Sequence, residues 1–276
     1  MNTAQIEKII KHALAEDIGS GDITTSLTIP PESVSRAQII AKEEGVIAGL
    51  QVAKLVFAEL GEVTFTPNLA EGDHVKPGDV LAEITGPTAV ILTGERVALN
   101  FLQRMSGIAT KTARLVELVK HTNAKILDTR KTTPGLRVLE KYAVKAGGGQ
   151  NHRFGLYDAV LIKDNHIRAA GGVKEAVQAA KSGAPKDMKI EVESDTLDQV
   201  KEALEAGANM ILLDNMNPSM LRQAVELCKG RALTEASGNV TEKNIAEIAE
   251  TGVDFISVGA LTHSVKALDL SLEIIG

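Results

Sequence analysis

The sequence predicts an α/β protein in which a small α+β domain precedes a barrel of repeated strand–helix units. In the first third of the chain, short β-like runs alternate with helical segments and with turns rich in glycine and proline. In the second half, short apolar runs end at 193, 214, 237 and 259. This spacing of about 22 residues is typical of βα units that build a parallel sheet, here more consistent with a closed barrel.

The first domain is predicted to begin with a helix, because residues 4–15 (AQIEKIIKHALA) place apolar side chains at helical spacing. Strand-like runs follow in SRAQIIAKEEGVIAGL, EVTFTPN and DVLAEITGP, and QVAKLVFAELG between them is predicted to be a helix that ends at its glycine. The sequence EGDHVKPGDV resembles a turn of biotin- and lipoyl-carrier domains. It has no lysine at the hairpin tip, where such carriers need one, so we interpret it as turn chemistry.

A long helix from Thr93 to about Asn123 is predicted to connect the domains, with Thr93 as its N-cap and Gly107 at a kink or a break. Beyond it, short β-branched runs alternate with amphipathic helical runs. The predicted strands are 124–129, 158–163, 189–193, 209–214, 231–237 and 254–259. An open doubly wound sheet would more often carry a Gly-x-Gly-x-x-Gly motif after its first strand, and the chain has none, which favours the barrel.

Bulk properties argue against several functional classes. The net charge of −6 argues against a general nucleic-acid binder, and no apolar run approaches the roughly 18 residues that a membrane span needs. The single cysteine, Cys228, excludes an internal disulfide and a multi-cysteine metal site, and its helical context predicts a core position. The N-terminal segment does not resemble a signal peptide, so the expected location is the cytoplasm.

Functional residues of an α/β barrel lie at the carboxyl ends of its strands, because the βα loops build that rim. The predicted strand ends are rich in charged or small polar residues, and the strand starts have far fewer of them. These segments are 128–131, 163–166, Glu193, 214–215, 235–239 and 257–260. Residues 128–168 also hold eight Lys and Arg against four Asp and Glu. We therefore expect a common site for an anionic small molecule.

The predicted rim contains cationic side chains that suit an anion rich in carboxylates, since arginine can pair with a carboxylate through two hydrogen bonds. They are Arg130, His152, Arg153 and Lys163. A lysine on a barrel strand could also form a Schiff base, so an aldolase-like reaction is an alternative. No histidine pair has the spacing of a zinc site, and neither a Gly-x-Ser-x-Gly elbow nor a Walker lysine loop is present.

Two further groups are predicted at the rim. Glu193 and Asp214 offer hard oxygen ligands for Mg²⁺ that carries phosphates. Main-chain N–H groups of small residues at strand-to-helix turns can hold a phosphate. These small residues are Ser237, Gly238, Asn239, Gly259 and Ala260.

Long segments of the chain closely resemble the quinolinate phosphoribosyltransferase family, also called carboxylating nicotinate-nucleotide pyrophosphorylases. The segments are EDIGSGDITT, GERVALNFLQRMSGIAT, LDTRKTTPGLRVLEKYAVKAGGGQNHRFGLYDAVLIKDNHI, EVE, LLDN, EASGN and SVGALTHS. The resemblance covers nearly the whole chain. It implies an N-terminal α/β sandwich over 1–106, on which 266–276 could pack back, and an incomplete parallel α/β barrel of about six or seven strands over 107–276.

The resemblance also implies an activity and an assembly. The family joins quinolinate to phosphoribosyl pyrophosphate with Mg²⁺ and releases pyrophosphate and CO₂, which gives nicotinate mononucleotide for NAD biosynthesis. It forms at least a homodimer in which the neighbouring subunit completes each active site. No nucleic acid and no membrane are expected as partners.

By motif, the resemblance assigns roles to individual residues. Those expected to hold quinolinate are Arg130, His152, Arg153, Lys163 and, from the neighbouring subunit, Arg96. Those expected to serve phosphoribosyl pyrophosphate and catalysis are Lys131, Glu193 and Asp214, the last two holding Mg²⁺ directly or through water. Those expected at the 5′-phosphate are Ser237, Gly238, Gly259, Ala260 and His263.

Two interpretations compete with this one. A related phosphoribosyltransferase-like protein of molybdate-transport operons shares the fold, but the intact NHRFG and IKDNH motifs argue against it. A binding module that senses an anion would show tight ligand binding without release of pyrophosphate.

Overall fold

The structure, a computed structural model, describes residues 3–275. The chain divides into two compact units. Unit 1 comprises the residues up to 113, residues 132–148 and the residues from 261 onward, and unit 2 comprises 114–131 and 149–260.

In chain order the helices and strands are α1 (Thr3–Ile18), α2 (Ile23–Thr28), β1 (Val34–Ala41), β2 (Gly45–Val46), α3 (Leu50–Leu60), β3 (Thr64–Pro67), β4 (His74–Val75), β5 (Val80–Pro87), α4 (Thr88–Val119), β6 (Lys125–Leu127), α5 (Arg137–Ala146), β7 (Val160–Ile162), α6 (Asp164–Ala170), α7 (Val173–Gly183), β8 (Ile190–Ser194), α8 (Leu197–Ala206), β9 (Met210–Asp214), α9 (Pro218–Cys228), β10 (Leu233–Ser237), α10 (Ile245–Ala249), β11 (Phe255–Ser257), α11 (Ala260–His263) and β12 (Leu270–Ile274).

Unit 1 contains a four-stranded antiparallel sheet in the order β12-β1-β5-β3. Alternate residues of β1, Ala37 and Ile39, are fully buried, as expected for a strand with one face on a core. Phe57 of α3 packs against Phe65 of β3 with ring centroids 6.3 Å apart, so this helix covers part of the sheet. The C-terminal strand β12 forms an edge of the sheet, where Leu272 lies opposite Ile39.

Helix α4 corrects two predictions from the sequence. It begins at Thr88, directly after β5, so Thr93 lies inside the helix and is not its N-cap. The Thr93 hydroxyl instead donates a hydrogen bond of 3.0 Å to the carboxylate of Asp22, the N-cap of α2. The helix also passes Gly107 without a break. A Cβ at this position would lie 2.2 Å from the Lys266 carbonyl oxygen, so glycine is required there for close packing.

A buried carboxylate in unit 1 is paired with one arginine. Glu140 of α5 is 1% exposed and accepts hydrogen bonds of 2.9 and 2.6 Å from the Arg104 guanidinium. The Thr133 main-chain N–H donates to the same carboxylate at 3.1 Å, and Arg104 donates to the Thr133 hydroxyl at 2.6 Å. The pair therefore holds the segment that follows residue 131 between α4 and α5.

We expect Arg104→Ala to lower the free energy of unfolding by about 2 kcal/mol, because the Glu140 carboxylate stays buried without its cation. The cost is below that of a fully buried pair because the Arg104 side chain is 33% exposed. Urea unfolding followed by circular dichroism measures this loss. In a Glu140→Gln background the same change should cost much less, and an equal loss in both backgrounds would contradict the ion-pair explanation.

Unit 2 contains six parallel strands in the order β6-β11-β10-β9-β8-β7. Strands β7 to β11 follow one another in sequence, and β11 then pairs with β6, so the order is that of a barrel open between β6 and β7. Within residues 3–275 these two strands share no ladder, and Gln150 forms an isolated parallel bridge with Leu127 at this edge. The predicted incomplete α/β barrel is confirmed, with six strands.

The helices of unit 2 begin with side-chain caps that the sequence encodes. Thr196 accepts the Gln199 main-chain N–H at the start of α8, and Asn217 accepts the Met220 N–H at the start of α9. Cys228 at the end of α9 is buried, as predicted. No helix in the part of the chain that the structure describes is both long and apolar enough to cross a lipid bilayer.

Candidate active site

A cavity of about 420 Å³ lies in unit 2 among residues at the carboxyl ends of the barrel strands. Its lining residues are Thr129, Arg130, Lys131, His152, Arg153, Leu161, Lys163, Leu212, Glu235, Ser237 and Ser257. The cavity thus brings together six residues that the sequence predicted to bind ligands. They are Arg130, Lys131, His152, Arg153, Lys163 and Ser237.

The two-residue period of a strand explains why these side chains share one space. Successive side chains point to opposite faces, so Glu235 and Ser237 of β10 face the same side, as do Leu161 and Lys163 at the end of β7. In the parallel ladder Ser237 is aligned with Asp214 of β9. Polar residues at the strand ends therefore converge on the cavity although they are far apart in sequence.

The other predicted residues lie around this rim or in unit 1. Glu193 and Asp214 lie at the carboxyl ends of β8 and β9. Gly238 directly follows β10, and Gly259 and Ala260 lie two and three residues beyond the end of β11, where α11 begins. Arg96 and His263 belong to unit 1, where Arg96 is exposed on α4 and His263 Nδ1 lies 2.7 Å from the Ser264 hydroxyl.

The loop that carries His152 and Arg153 is irregular but anchored. Asp128, fully buried directly after β6, accepts a hydrogen bond of 2.9 Å from the His152 main-chain N–H and another from the Asn151 side chain. A buried carboxylate that accepts main-chain N–H groups replaces the ladder bonds that the loop lacks. Asp128 therefore fixes the start of this loop against the first barrel strand.

The His152 side chain has protein partners at both ring nitrogens. Nε2 lies 3.0 Å from Glu191 Oε2 and 3.3 Å from Glu235 Oε2. Nδ1 accepts a hydrogen bond of 2.7 Å from the Arg153 main-chain N–H. Glu191 and Glu235 are 5% and 1% exposed, so two nearly inaccessible carboxylates contact a histidine that lines the cavity, and Glu235 is also part of that lining.

Protonation of these three groups follows from their contacts. Burial lowers the pKa of His152, but hydrogen bonds to Glu191 and Glu235 outweigh it and raise the pKa to about 10. Burial, with a smaller effect of the Glu235 charge, raises the pKa of Glu191. Protonation of both ring nitrogens would break the hydrogen bond from the Arg153 N–H to Nδ1, so the contacts place one ring proton, on Nε2, although the two carboxylates raise the pKa of the ring. Glu191 Oε1 accepts no hydrogen bond within the described chain, which costs least when this carboxyl is neutral.

Two guanidinium groups in the cavity repel each other. Burial, and next the charge of Arg130, lower the pKa of Arg153. Arg153 Nη1 donates a hydrogen bond of 3.3 Å to the Ala159 carbonyl, which directs the side chain along its own loop. An anion bound between the two cations would relieve this repulsion, and its carboxylates could form hydrogen bonds in pairs.

On another side of the rim, Lys163 Nζ lies 3.6 Å from Glu193 Oε2. Burial raises the pKa of Glu193, the charge of Lys163 lowers it, and the charge of Asp214 raises it again. A divalent cation near the two carboxylates would offset the repulsion that the Asp214 charge exerts on ionised Glu193. This electrostatic relation is the observation that makes Glu193 and Asp214 fit Mg²⁺.

The turns after β9 and β10 are joined by hydrogen bonds, and each contains a residue with positive φ. Asn215 and Asn239 have φ of 54° and 51°, and they are the residues other than glycine with positive φ in the described chain. The Asn239 side chain donates a hydrogen bond of 3.0 Å to Asn215 Oδ1, and the Asn215 N–H donates to the Ser237 carbonyl at 2.9 Å. Gly238, with φ of 92°, lies against this side chain. Strained backbone of this kind is common at ligand sites.

We expect Gly238→Ala to destabilise unit 2 by about 2–3 kcal/mol, because the new Cβ would lie 2.2 Å from Asn215 Oδ1 at a positive φ. Gly230→Ala is a matched control, since Gly230 has φ of 70° but open space around its Cβ position. The control should lose only about 1 kcal/mol from backbone strain. Equal losses in urea unfolding would show that contact with Asn215 contributes nothing.

Among residues 3–275, one group of three side chains has ligand atoms close enough together to hold a metal ion. The ligand atoms of His152, Glu191 and Glu235 all lie within 4.8 Å of one another. An imidazole nitrogen binds a metal through its lone pair, whereas Nε2 here faces two carboxylates as a hydrogen-bond donor. The structure therefore gives this group a function in hydrogen bonding.

Sequence reasoning missed the role of the buried carboxylates. Glu191 was part of a predicted strand, and Glu235 was counted among the polar strand ends of the predicted rim, but neither was given a role. The signal was available in KIEVE, since a glutamate flanked by apolar residues inside a buried strand needs an internal partner, and it was weaker in RALTEAS, where the glutamate lies between a threonine and an alanine. That this partner is His152 could not be read from the sequence, because the histidine lies in an irregular loop.

Two family models together match most of the chain. The family model described as quinolinate phosphoribosyl transferase, N-terminal domain, matches residues 22–106, and the model of the C-terminal domain of the same enzyme matches residues 108–273.

Curated relatives and solved structures are similar over nearly the whole of this chain. A protein of Bacillus subtilis (strain 168) named probable nicotinate-nucleotide pyrophosphorylase [carboxylating] is 48% identical over 275 residues, which cover 99% of this chain and 95% of that protein. A chloroplastic nicotinate-nucleotide pyrophosphorylase [carboxylating] of Arabidopsis thaliana is 46% identical over 99% of this chain and 83% of its own. The crystal structure of NadC from Streptococcus pyogenes has a TM-score of 0.96 at 44% identity and covers 100% of this chain and 99% of its own.

Proposed function

Because this chain belongs to the quinolinate phosphoribosyl transferase family, we propose that it transfers the phosphoribosyl group of phosphoribosyl pyrophosphate to quinolinate with loss of CO₂. The products are nicotinate mononucleotide, pyrophosphate and CO₂, in NAD biosynthesis. One observation carries the proposal: three cationic side chains from separate elements line one cavity beside the carboxylate of Glu193. They are Arg130, Arg153 and Lys163.

The cationic wall would bind quinolinate through its two carboxylates. Arg130 and Arg153 repel each other across the cavity and would each gain a carboxylate partner, and Lys163 would add a third charge. Hydrogen bonds to charged groups contribute roughly 1.5–3 kcal/mol each, enough to select a dicarboxylate over nicotinate. His152 lies in the same wall, and Arg96 of the partner subunit completes the clamp in this proposal.

Phosphoribosyl pyrophosphate would lie along the ends of β8 to β11. Lys131 and the carboxylates of Glu193 and Asp214 would serve the pyrophosphate, with Mg²⁺ held by the two carboxylates directly or through water. When bound, Mg²⁺ would neutralise charge on the pyrophosphate leaving group. The residues that would receive the 5′-phosphate are Ser237, Gly238, Gly259, Ala260 and His263.

The reaction forms a bond between the quinolinate nitrogen and the anomeric carbon of ribose, and the bond from that carbon to pyrophosphate breaks. Positive charge develops at the ribose carbon, so Glu193 and Asp214 would stabilise the transition state by their charge and by positioning. Loss of CO₂ leaves an electron pair on the ring carbon beside the cationic nitrogen, where a proton is taken up. No protein nucleophile is required.

The structure gives no support to a Schiff-base reaction at Lys163. The amine of such a lysine is usually desolvated in an apolar pocket, whereas the Lys163 side chain is 49% exposed beside the Glu193 carboxylate. The homodimer and a cytoplasmic location stay predictions.

A direct assay tests the proposal. The protein is mixed with quinolinate, phosphoribosyl pyrophosphate and Mg²⁺, and loss of quinolinate and release of pyrophosphate are followed, with nicotinate as the control substrate. We expect turnover of quinolinate and none of nicotinate. Binding of quinolinate without pyrophosphate release would instead indicate an anion-sensing module.

A further inference from the structure

We propose that Glu191 and Glu235 are positioning residues for quinolinate, which act through His152 to set the place of Arg153 in the cavity. This inference rests on the proposed function and adds two residues to it. Both side chains are at least nine-tenths buried against the histidine ring. Glu235 also belongs to the cavity lining, but a carboxylate there would repel an anionic substrate, so both residues are expected to act through His152.

The loop that contains His152 and Arg153 depends on side chains to fix its position. Between the bridge at Gln150 and the start of β7 it contains no helix and no strand, so main-chain hydrogen bonds of regular structure do not fix it. Its main chain is held at His152 N by Asp128 and at Arg153 N by the imidazole Nδ1. Asp158 accepts the next two N–H groups, those of Phe154 and Gly155, so the imidazole supplies the hydrogen bond that fixes the Arg153 main chain between these two anchors.

The imidazole is oriented by two strands that cannot move independently. Glu191 belongs to β8 and Glu235 to β10, and β9 pairs with both of them in one parallel sheet. Their carboxylates approach the same ring nitrogen at 3.0 and 3.3 Å. The Nε2 proton is directed at Glu191, since Glu235 Oε2 has no hydrogen-bond partner within the described chain, and Glu235 restricts the ring position through its close approach and its buried place on a second strand.

The arrangement also supplies charge where the site needs it. The cavity wall gathers cationic groups that repel one another, and buried carboxylate behind that wall offsets the repulsion before substrate binds. Arg153 can then remain aimed at the cavity. Removal of a carboxylate should therefore weaken binding of quinolinate more than binding of phosphoribosyl pyrophosphate.

The test uses Glu235→Gln and Glu191→Gln in the full-length protein. Glutamine keeps the shape and one acceptor oxygen but cannot ionise. We expect the KM for quinolinate to rise on the order of tenfold in each variant, with the KM for phosphoribosyl pyrophosphate changed less than about twofold. In a His152→Ala background the same substitutions should add less than about twofold.

Asp254→Asn is a matched control for loss of a carboxylate. Asp254 accepts hydrogen bonds from the Thr234 N–H and hydroxyl at the opposite end of β10 and lies outside the cavity lining. Its KM values should match those of the wild type. Circular dichroism confirms that each variant is folded, and Glu235→Asp, which restores the charge, should recover part of the affinity if Glu235→Gln folds poorly.

The outcomes separate this inference from the proposed function. Unchanged quinolinate KM in both glutamine variants, equal rises in both KM values, or an undiminished effect without His152 would each overturn it while the proposed function stands. A wild-type protein that does not turn over quinolinate would overturn the proposed function and this inference with it.

Discussion

Arg153→Ala is expected to lower kcat/KM for quinolinate on the order of 10²–10³-fold while the fold is retained. The guanidinium can form two charged hydrogen bonds with one carboxylate, and each contributes roughly 1.5–3 kcal/mol. The change also removes a cation that Arg130 repels, so the free protein should lose little stability. Steady-state kinetics over a range of quinolinate concentrations measures the effect.

The controls for this prediction separate charge from geometry. Arg153→Lys keeps the charge but not the planar pair of donors, so it should recover only part of the activity. Arg231→Ala removes an exposed arginine just before β10, at the other end of the strands, and should behave as the wild type. Normal turnover by Arg153→Ala would contradict the assignment of the quinolinate site to this cavity.

Asp214→Asn is expected to lower kcat on the order of 10²–10³-fold, the usual cost of removing one preorganised electrostatic group at a transition state. Asparagine keeps the size of the side chain but cannot neutralise a cation or the positive ribose carbon. The Mg²⁺ concentration that gives half-maximal rate should rise in the same variant. Initial rates measured over a series of Mg²⁺ concentrations give both values.

The neighbouring carboxylate provides a second measurement of the same effect. Loss of the Asp214 charge should lower the pKa of Glu193, because that charge is one of its causes of elevation. A Glu193→Gln variant should show a similar fall in kcat, and the double variant should fall less than the product of the two. Wild-type rates and an unchanged Mg²⁺ requirement in Asp214→Asn would remove this residue from the catalytic group.

The sequence was a good guide wherever one periodic pattern decides the structure. All six barrel strands occur at their predicted positions, because a buried parallel strand needs a short apolar run that is visible in the sequence. The polar ends of those strands converge on a cavity because the carboxyl ends of parallel strands lie at the same end of the barrel. The apolar and polar pattern of each strand can be read from its own sequence, and every strand of the sheet shows the same pattern.

The errors arose where a tertiary contact decides the structure. Thr93 is of a residue type that is common at N-caps, but its hydroxyl donates a hydrogen bond to Asp22 and the helix begins at Thr88. Gly107 was interpreted through its local flexibility, although its function is to admit the main chain at Lys266. Single-residue patterns contain no information about a partner far away in the sequence.

The opening of the barrel likewise combines a feature that the sequence predicts with one that a tertiary contact decides. That the strands are parallel follows from their spacing of about 22 residues. That β6 and β7 leave a gap, occupied by a single bridge from Gln150, depends on the irregular loop that carries His152. Helical and strand patterns do not describe such a loop, so the histidine–carboxylate group at its base required the structure.

The stoichiometry of CO₂ release tests the central claim most directly. Quinolinate labelled at the 2-carboxylate is incubated with the protein, phosphoribosyl pyrophosphate and Mg²⁺, and labelled CO₂ and pyrophosphate are counted together. We predict one CO₂ for each pyrophosphate, and neither product when phosphoribosyl pyrophosphate is left out. Pyrophosphate released without CO₂, or no release of either from the complete mixture, would contradict a decarboxylating transferase and would favour the related protein of molybdate-transport operons.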